Sequence, residues 1–310
     1  MSWLRIALAS VLFGVNTIIH VPPLLLAALL KAVLPLRPLR AVFNRMLEAI
    51  AVSWIACNTF LIRTLTHTRM VLQMPEALNP KGHYLVIANH QSWVDIPMLQ
   101  AALSRRIPLL RFFLKSQLFW VPLLGLAWWA LDFPFMKRYS RAFLERHPEL
   151  AGRDIEATRR ACAKFKNLPV AIMNFVEGTR FTQAKRQAQG SLFRHLLKPK
   201  AGGIAFVMDA MGGALHAVLD VTIVYPAARP TFADLFADRI PAIHVSILER
   251  PIPRELIDGN YTQDAAARES MQRWINQLWS EKDASIARTL AEAGATAPQE
   301  CAALAKPPGG

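Results

Sequence analysis

The chain has 310 residues, 53% of them hydrophobic, with a formal net charge of +14 and a positive mean hydropathy. That length holds one large α/β domain plus an anchor, and the apolar content is high for a soluble enzyme. The charge calls for an anionic partner. The basic residues are scattered and not interleaved with aromatics, so nucleic acid is set aside in favour of an anionic bilayer face and phosphate-bearing ligands.

In chain order, the first element is an apolar stretch over residues 6–30, interrupted by Asn16, His20 and the pair Pro22-Pro23. Its length is close to the roughly 20 residues that span a bilayer. Arg5 precedes it, and Lys31, Arg37, Arg40 and Arg45 follow. That bias places the C-terminal flank in the cytoplasm. No small-x-small cleavage site follows, so an uncleaved anchor is expected, kinked or split into a re-entrant pair at the prolines. A second helical run over 46–62 carries Glu48 and Trp54 and is marginal as a span. Next, Tyr84-Leu85-Val86-Ile87-Ala88 reads as a buried strand running into Asn89-His90-Gln91-Ser92-Trp93-Val94-Asp95.

Residues 118–131 set Trp120, Trp128 and Trp129 among aliphatics in a run too short to span. A core helix and an apolar wall at the membrane interface are both open readings. An amphipathic helix over 154–166 follows, with Ile155, Cys162 and Phe165 along one side. Then come a strand over 170–175, a helix over 201–210, and strands over 217–225 and 244–248. The final helix covers 265–290, and its stripe of Met271, Trp274, Leu278 and Trp279 reads as core. This alternation predicts an α/β fold with a largely parallel sheet flanked by helices. The expected organisation is 1–65 as N-terminal anchoring or interfacial helices, 66–292 as the α/β domain and 293–310 as a disordered tail. Cys57, Cys162 and Cys301 are too few and too far apart for a disulfide framework or a zinc site. The histidines show no metal-binding clustering, so no metal is expected.

His90 and Asp95 are five apart, a spacing that does not share a helix face. They meet only if the chain turns between them. A histidine held by a carboxylate, with no nucleophilic Ser or Cys beside it, suggests a general base acting on a hydroxyl. The pattern also recurs by chance, and a helix-capping histidine is the competing reading. A second cluster changes the balance. Asn174-Phe175-Val176-Glu177-Gly178-Thr179-Arg180 follows another apolar run, so two polar clusters at strand ends could face one crevice.

Asn-His-x4-Asp followed at a distance by Phe-Val-Glu-Gly-Thr-Arg resembles the glycerolipid acyltransferases of the 1-acyl-glycerol-3-phosphate acyltransferase type, the PlsC family. Asp132-Phe133-Pro134-Phe135-Met136-Lys137-Arg138 stands where that family has an apolar run ending in a basic residue. Val221-Thr222-Ile223-Val224-Tyr225-Pro226 stands where it has a final strand ending in proline. The resemblance spans residues 84–226, with four blocks in the right order. The stretch over 115–141 is similar to a bacterial branch related to the lysocardiolipin-type enzymes, although the second block lacks the usual glycine before its apolar run.

The resemblance implies transfer of a fatty acyl group from acyl-CoA or acyl carrier protein to the hydroxyl of lysophosphatidic acid. It implies no other cofactor. His90 would take the hydroxyl proton and Asp95 would set its tautomer. Glu177, Gly178, Thr179 and Arg180 would form the acceptor site, with Arg180 on phosphate and Glu177 on glycerol hydroxyls or holding Arg180. Arg138 and Lys137 are the next phosphate candidates, then Lys115 and Lys200. Asn89 would orient the loop, Ser92 would cap or turn it, and Trp93 would pack. The tryptophan-rich stretch would wall the acyl chain. The implied location is the bacterial inner membrane, with the catalytic domain on its cytoplasmic face among membrane phospholipids; the oligomeric state is left open. Three rivals remain: a remodelling acyltransferase with a larger headgroup acceptor, a thioester or lipid hydrolase using the same pair on water, and a lipid-binding protein.

Overall fold

The computed structural model describes residues 2–34, 36–136, 146, 169–227, 230–258, 261 and 264–304. Its elements in order are α1 (Ser2–Val33), α2 (Arg37–Leu65), β1 (Arg69–Gln73), β2 (His83–Ala88), α3 (Asp95–Leu103), β3 (Leu110–Phe112), β4 (Leu114–Lys115), a 3-10 helix (Ser116–Trp120), α4 (Leu124–Ala130) and β5 (Phe135–Met136). After these come β6 (Val170–Phe175), α5 (Gln183–Ala188), α6 (Gly202–Met211), β7 (Ala217–Val224), α7 (Phe232–Phe236), β8 (Ala242–Arg250), α8 (Arg254–Asp258) and α9 (Ala265–Leu304). The helix expected over 154–166, Lys137 and Arg138 lie outside the described residues.

Six strands form one sheet in the order β1-β8-β7-β2-β6-β3. All neighbours are parallel except β7 and β8, so the sheet is largely parallel, as expected. β2 is central because it can be buried on both faces. Tyr84, Val86 and Ala88 face one core cluster, with Met98 and Leu99 of α3 and residues of the N-terminal helices. Leu85 and Ile87 face the other, with Ile204 and Met208 of α6 and Ile275 and Trp279 of α9. Side chains alternate across a strand, so one continuous apolar run feeds both cores.

α1 runs unbroken through Pro22 and Pro23, without the split that the prolines suggested. It pairs with α2, and both are long and apolar enough to cross a membrane by length and composition. The hairpin is not a separate body. Ala9, Val21, Leu24 and Ala27 of α1 and Leu47, Ala51 and Ile62 of α2 belong to the same cluster as Tyr84 and Val86 of β2. The other side of α1 leaves Leu4, Leu8, Val11, Val15, Ile18 and Leu26 exposed. Between the two helices runs a polar seam. Asn16 Nδ2 donates to Asn58 Oδ1 at 2.8 Å and to the Trp54 carbonyl at 3.1 Å. The Trp54 indole donates to Thr17 Oγ1 at 3.3 Å, and a His20 ring nitrogen lies 3.0 Å from Ser53 Oγ.

The tryptophan-rich stretch is two pieces rather than one helix. It breaks at Leu123, which has φ 63°. Gly125 is required there, since a Cβ would stand 1.9 Å from the Phe119 carbonyl oxygen. The two sequence readings divide between its residues: Trp128 packs on the core, while Trp120 (81% exposed) and Trp129 (62%) face outward. α9 continues to Leu304, where a disordered tail was expected from 293. The alanines of this stretch favour a helical extension, against Gly294 and Pro298 that lie within it.

Candidate active site

The catalytic candidates converge because the neighbouring parallel strands β2 and β6 end together, with β7 beside β2 running three residues further. The register sets Ala88 of β2 beside Phe175 of β6 and Val221 of β7. β2 and β6 then run into polar loops on the same edge, and β7 runs on to Tyr225. Asn89 ties the first loop to β7: its Nδ2 donates to the Ile223 carbonyl at 2.8 Å and its Oδ1 accepts from Ile223 N at 2.9 Å. It orients the loop, as expected.

The turn between His90 and Asp95 brings them into contact. His90 Nδ1 lies 2.8 Å from Asp95 Oδ2. That oxygen also accepts Gln91 N at 2.7 Å and Ser92 N at 2.9 Å. Asp95 is the first residue of α3 and fully buried, where the amino-terminal end of a helix favours a carboxylate. Ser92 fills its expected turn role, accepting Val94 N at 3.0 Å and donating to the Pro230 carbonyl at 2.5 Å. The His90 ring stacks on Phe175, with centroids 3.9 Å apart and planes 16° from parallel. A carboxylate acceptor at Nδ1 fixes the proton there and leaves the Nε2 lone pair available.

Sequence reading missed Tyr225, the fourth contact of Asp95. Its hydroxyl donates to Oδ1 at 2.6 Å. Burial first, then the Asp95 charge, pushes the Tyr225 hydroxyl well above its ordinary 10.0, so it remains a donor. Its position before Pro226 at a strand end was visible, but nothing in the spacing pairs it with a residue 130 positions away.

Glu177 corrects an expectation. It does not reach into a substrate space or hold Arg180. It is fully buried, with Oε1 accepting His90 N at 3.0 Å and Oε2 accepting Leu197 N at 2.9 Å. It is a clamp between the two motif loops and the segment that follows. Burial raises its carboxyl to about 7, against the two N–H groups and the Lys282 charge, which favour ionisation. Phe181 N closes the other side of the clamp, donating to the His90 carbonyl at 2.7 Å.

Gly178 has φ +70°, a conformation open to glycine, and Lys200 lies against it, its Nζ 3.4 Å from where a Cβ would be. Thr179 Oγ1 accepts from Lys185 Nζ at 2.7 Å. Arg180 is exposed, and its guanidinium lies over the Trp93 ring, 5.1 Å from the centroid. Trp93 is 48% exposed, so it positions Arg180 beside the His90 turn and is not simple packing. Arg180, Lys185 and Lys200 thus gather at one loop. Lys185 was not singled out from sequence and carried no signal there. Lys115 ends β4 and is exposed.

Residues 69–228, more than half of the chain, match the family model described as Acyltransferase. The chain belongs to that acyltransferase family. It is 23% identical over 225 residues to a mouse protein described as 1-acyl-sn-glycerol-3-phosphate acyltransferase epsilon, covering 66% of this chain and 57% of that one. It is 27% identical over 245 residues to an Arabidopsis thaliana protein described as probable 1-acyl-sn-glycerol-3-phosphate acyltransferase 5, covering 74% and 60%. The chain therefore spans less than two thirds of these relatives. The crystal structure of the 1-acyl-sn-glycerophosphate acyltransferase PlsC from Thermotoga maritima shares the fold, with a TM-score of 0.51 at 18% identity, covering 90% of this chain and 98% of that one. In this acyltransferase the matched region begins at β1 and ends just past Tyr225, so it contains the whole His90–Asp95–Tyr225 arrangement and excludes the hairpin.

Proposed function

We propose that the protein transfers a fatty acyl group from acyl-CoA or acyl carrier protein to the free hydroxyl of lysophosphatidic acid, forming phosphatidic acid at a membrane. The observation that carries this reading is His90, held at Nδ1 by a buried carboxylate and free to act at Nε2. His90 Nε2 takes the proton of the acceptor hydroxyl as its oxygen attacks the thioester carbonyl. Asp95 stabilises the imidazolium that forms. The tetrahedral intermediate collapses by breaking the C–S bond, and the departing thiolate takes the proton from His90. One C–O bond forms, one C–S bond breaks, and His90 returns neutral.

Arg180 and Lys200 bind the acceptor phosphate, the guanidinium as a fork and the ammonium as a point charge. Glu177 has a positioning role, since its carboxylate holds the His90 peptide. The exposed face of α1, with Trp120 and Trp129, sets the molecule against the bilayer. The cytoplasmic face of a bacterial inner membrane is the proposed location.

Membranes bearing wild type or His90→Ala are given labelled acyl-CoA and lysophosphatidic acid, and the lipid products are separated. Phosphatidic acid from wild type, reduced about 10²–10⁴-fold in the variant, is the expected result. Consumption of thioester only with another lysophospholipid would reassign the acceptor. Free thiol without lipid product would make the protein a hydrolase.

A further inference from the structure

At the opposite edge of the sheet from His90, a cavity of about 460 Å³ lies beneath the hairpin, within the range of ligand pockets. Pro80, Pro108 and Pro169, which precede β2, β3 and β6, form its floor. The end of α1, the start of α2 and the end of α4 form its walls. The length of β2 separates it from the catalytic loop, roughly 20 Å for a six-residue strand.

Among the described residues its charge is unbalanced. Lys31, Arg45, Lys81 and Arg111 line it, against Glu48 and Asp132. Glu48 is engaged by Arg111 at 2.9 Å and Asp132 by Lys31 at 3.8 Å. Arg45 and Lys81 have no carboxylate partner among the described residues. The remaining lining is largely apolar, including Leu47 and Leu131. A second cavity of about 200 Å³ shares Glu48, Pro80 and Pro108 with the first and continues between Val52, Ile55, Leu103 and Leu110, with Gln100, Ser104 and Arg105 also on its wall. A cationic mouth leading to an apolar slot suits an amphiphile with an anionic head. Lys31 and Ala130 of its lining are chain neighbours of the exposed Leu30 and Trp129. The mouth therefore opens where the apolar helix surface meets the charged one, which is the level of lipid headgroups.

We propose that this cavity is a second, non-catalytic site for an anionic phospholipid of the surrounding bilayer, with its phosphate at Arg45 and Lys81 and one chain in the adjoining slot. It rests on the membrane association proposed above, not on the acyl-transfer reaction. The full chain is reconstituted in phosphatidylcholine nanodiscs doped with phosphatidylglycerol, and retained lipid is counted by native mass spectrometry. Wild type should retain one phosphatidylglycerol, bound about tenfold more tightly than phosphatidylcholine. Arg45→Gln/Lys81→Gln should lose that preference. Lys81→Gln alone, outside the hairpin, should weaken it severalfold. Arg254→Gln/Arg273→Gln, with the same loss of charge elsewhere, and His90→Ala should both keep it. Retention unchanged in Arg45→Gln/Lys81→Gln would overturn the site. Loss in His90→Ala would return the lipid to the catalytic end, and competition by inorganic phosphate at equal strength would make it a site for soluble anions; either result overturns the proposal.

Discussion

The carboxyl edge of the sheet and the α1–α2 hairpin both bury polar groups, and they do so with different chemistry. At the sheet edge two carboxylates, Asp95 and Glu177, are fully enclosed, and each is met by backbone N–H donors from loops that the strand register brings together. In the hairpin the seam holds no carboxylate: Asn16 and Asn58 join amide to amide, and the other groups are an indole, hydroxyls and an imidazole. Buried charge is costly unless several donors converge on it, and strand ends supply such donors while helix sides do not. Carboxyl groups are used where a backbone must be held in place for chemistry. Neutral amides suffice where two helices need only a register.

The sharpest break in this comparison is at Asp95. Asp95→Asn keeps the shape of the turn but removes the charge that fixes the His90 tautomer. Turnover should fall on the order of 10³-fold with little change in acceptor KM, read from initial rates of lipid product. Glu177→Ala leaves the His90 and Leu197 N–H groups buried without acceptors and should cost about 2–4 kcal/mol in urea unfolding of the detergent-solubilised chain. The hairpin seam should be less sensitive. Asn16→Ala, which strands the Asn58 amide, should cost about 1 kcal/mol. Asn16→Leu combined with Asn58→Leu should be nearly neutral in the same assay, because both partners leave together.

A pH dependence also distinguishes the two regions. The Glu177 carboxyl is raised from 4.5 to about 7 in the folded chain. Between those values the folded state holds a proton that the unfolded state has released, so this contribution to stability is full below 4.5, declines as pH rises to about 7 and is flat above. Midpoints of wild type compared with Glu177→Gln across that window should diverge in this direction. Asn16→Leu should leave the slope unchanged.

The parts legible in sequence were those set by local pattern. The strand over 170–175 was placed at both ends because its apolar run is bounded by Pro169 and the Glu-Gly-Thr-Arg turn. The His90–Asp95 contact followed from a spacing that only a turn can close. The short strands β1 and β3 carried too few residues for a period to show. Glu177 was misread because a carboxylate next to an arginine suggests an ion pair, whereas its partners are backbone groups at His90 and Leu197. The break at Leu123 depends on a left-handed residue with no glycine of its own to announce it.

One consequence follows from the clamp on the His90 peptide. Its N–H is held by Glu177 and its carbonyl by Phe181 N, and Arg180 lies between those two in sequence. The backbone turns that carry the imidazole and the guanidinium are therefore tied to each other before any substrate arrives. In the proposed reaction that tie acts as a caliper, favouring a hydroxyl that stands a set distance from its phosphate.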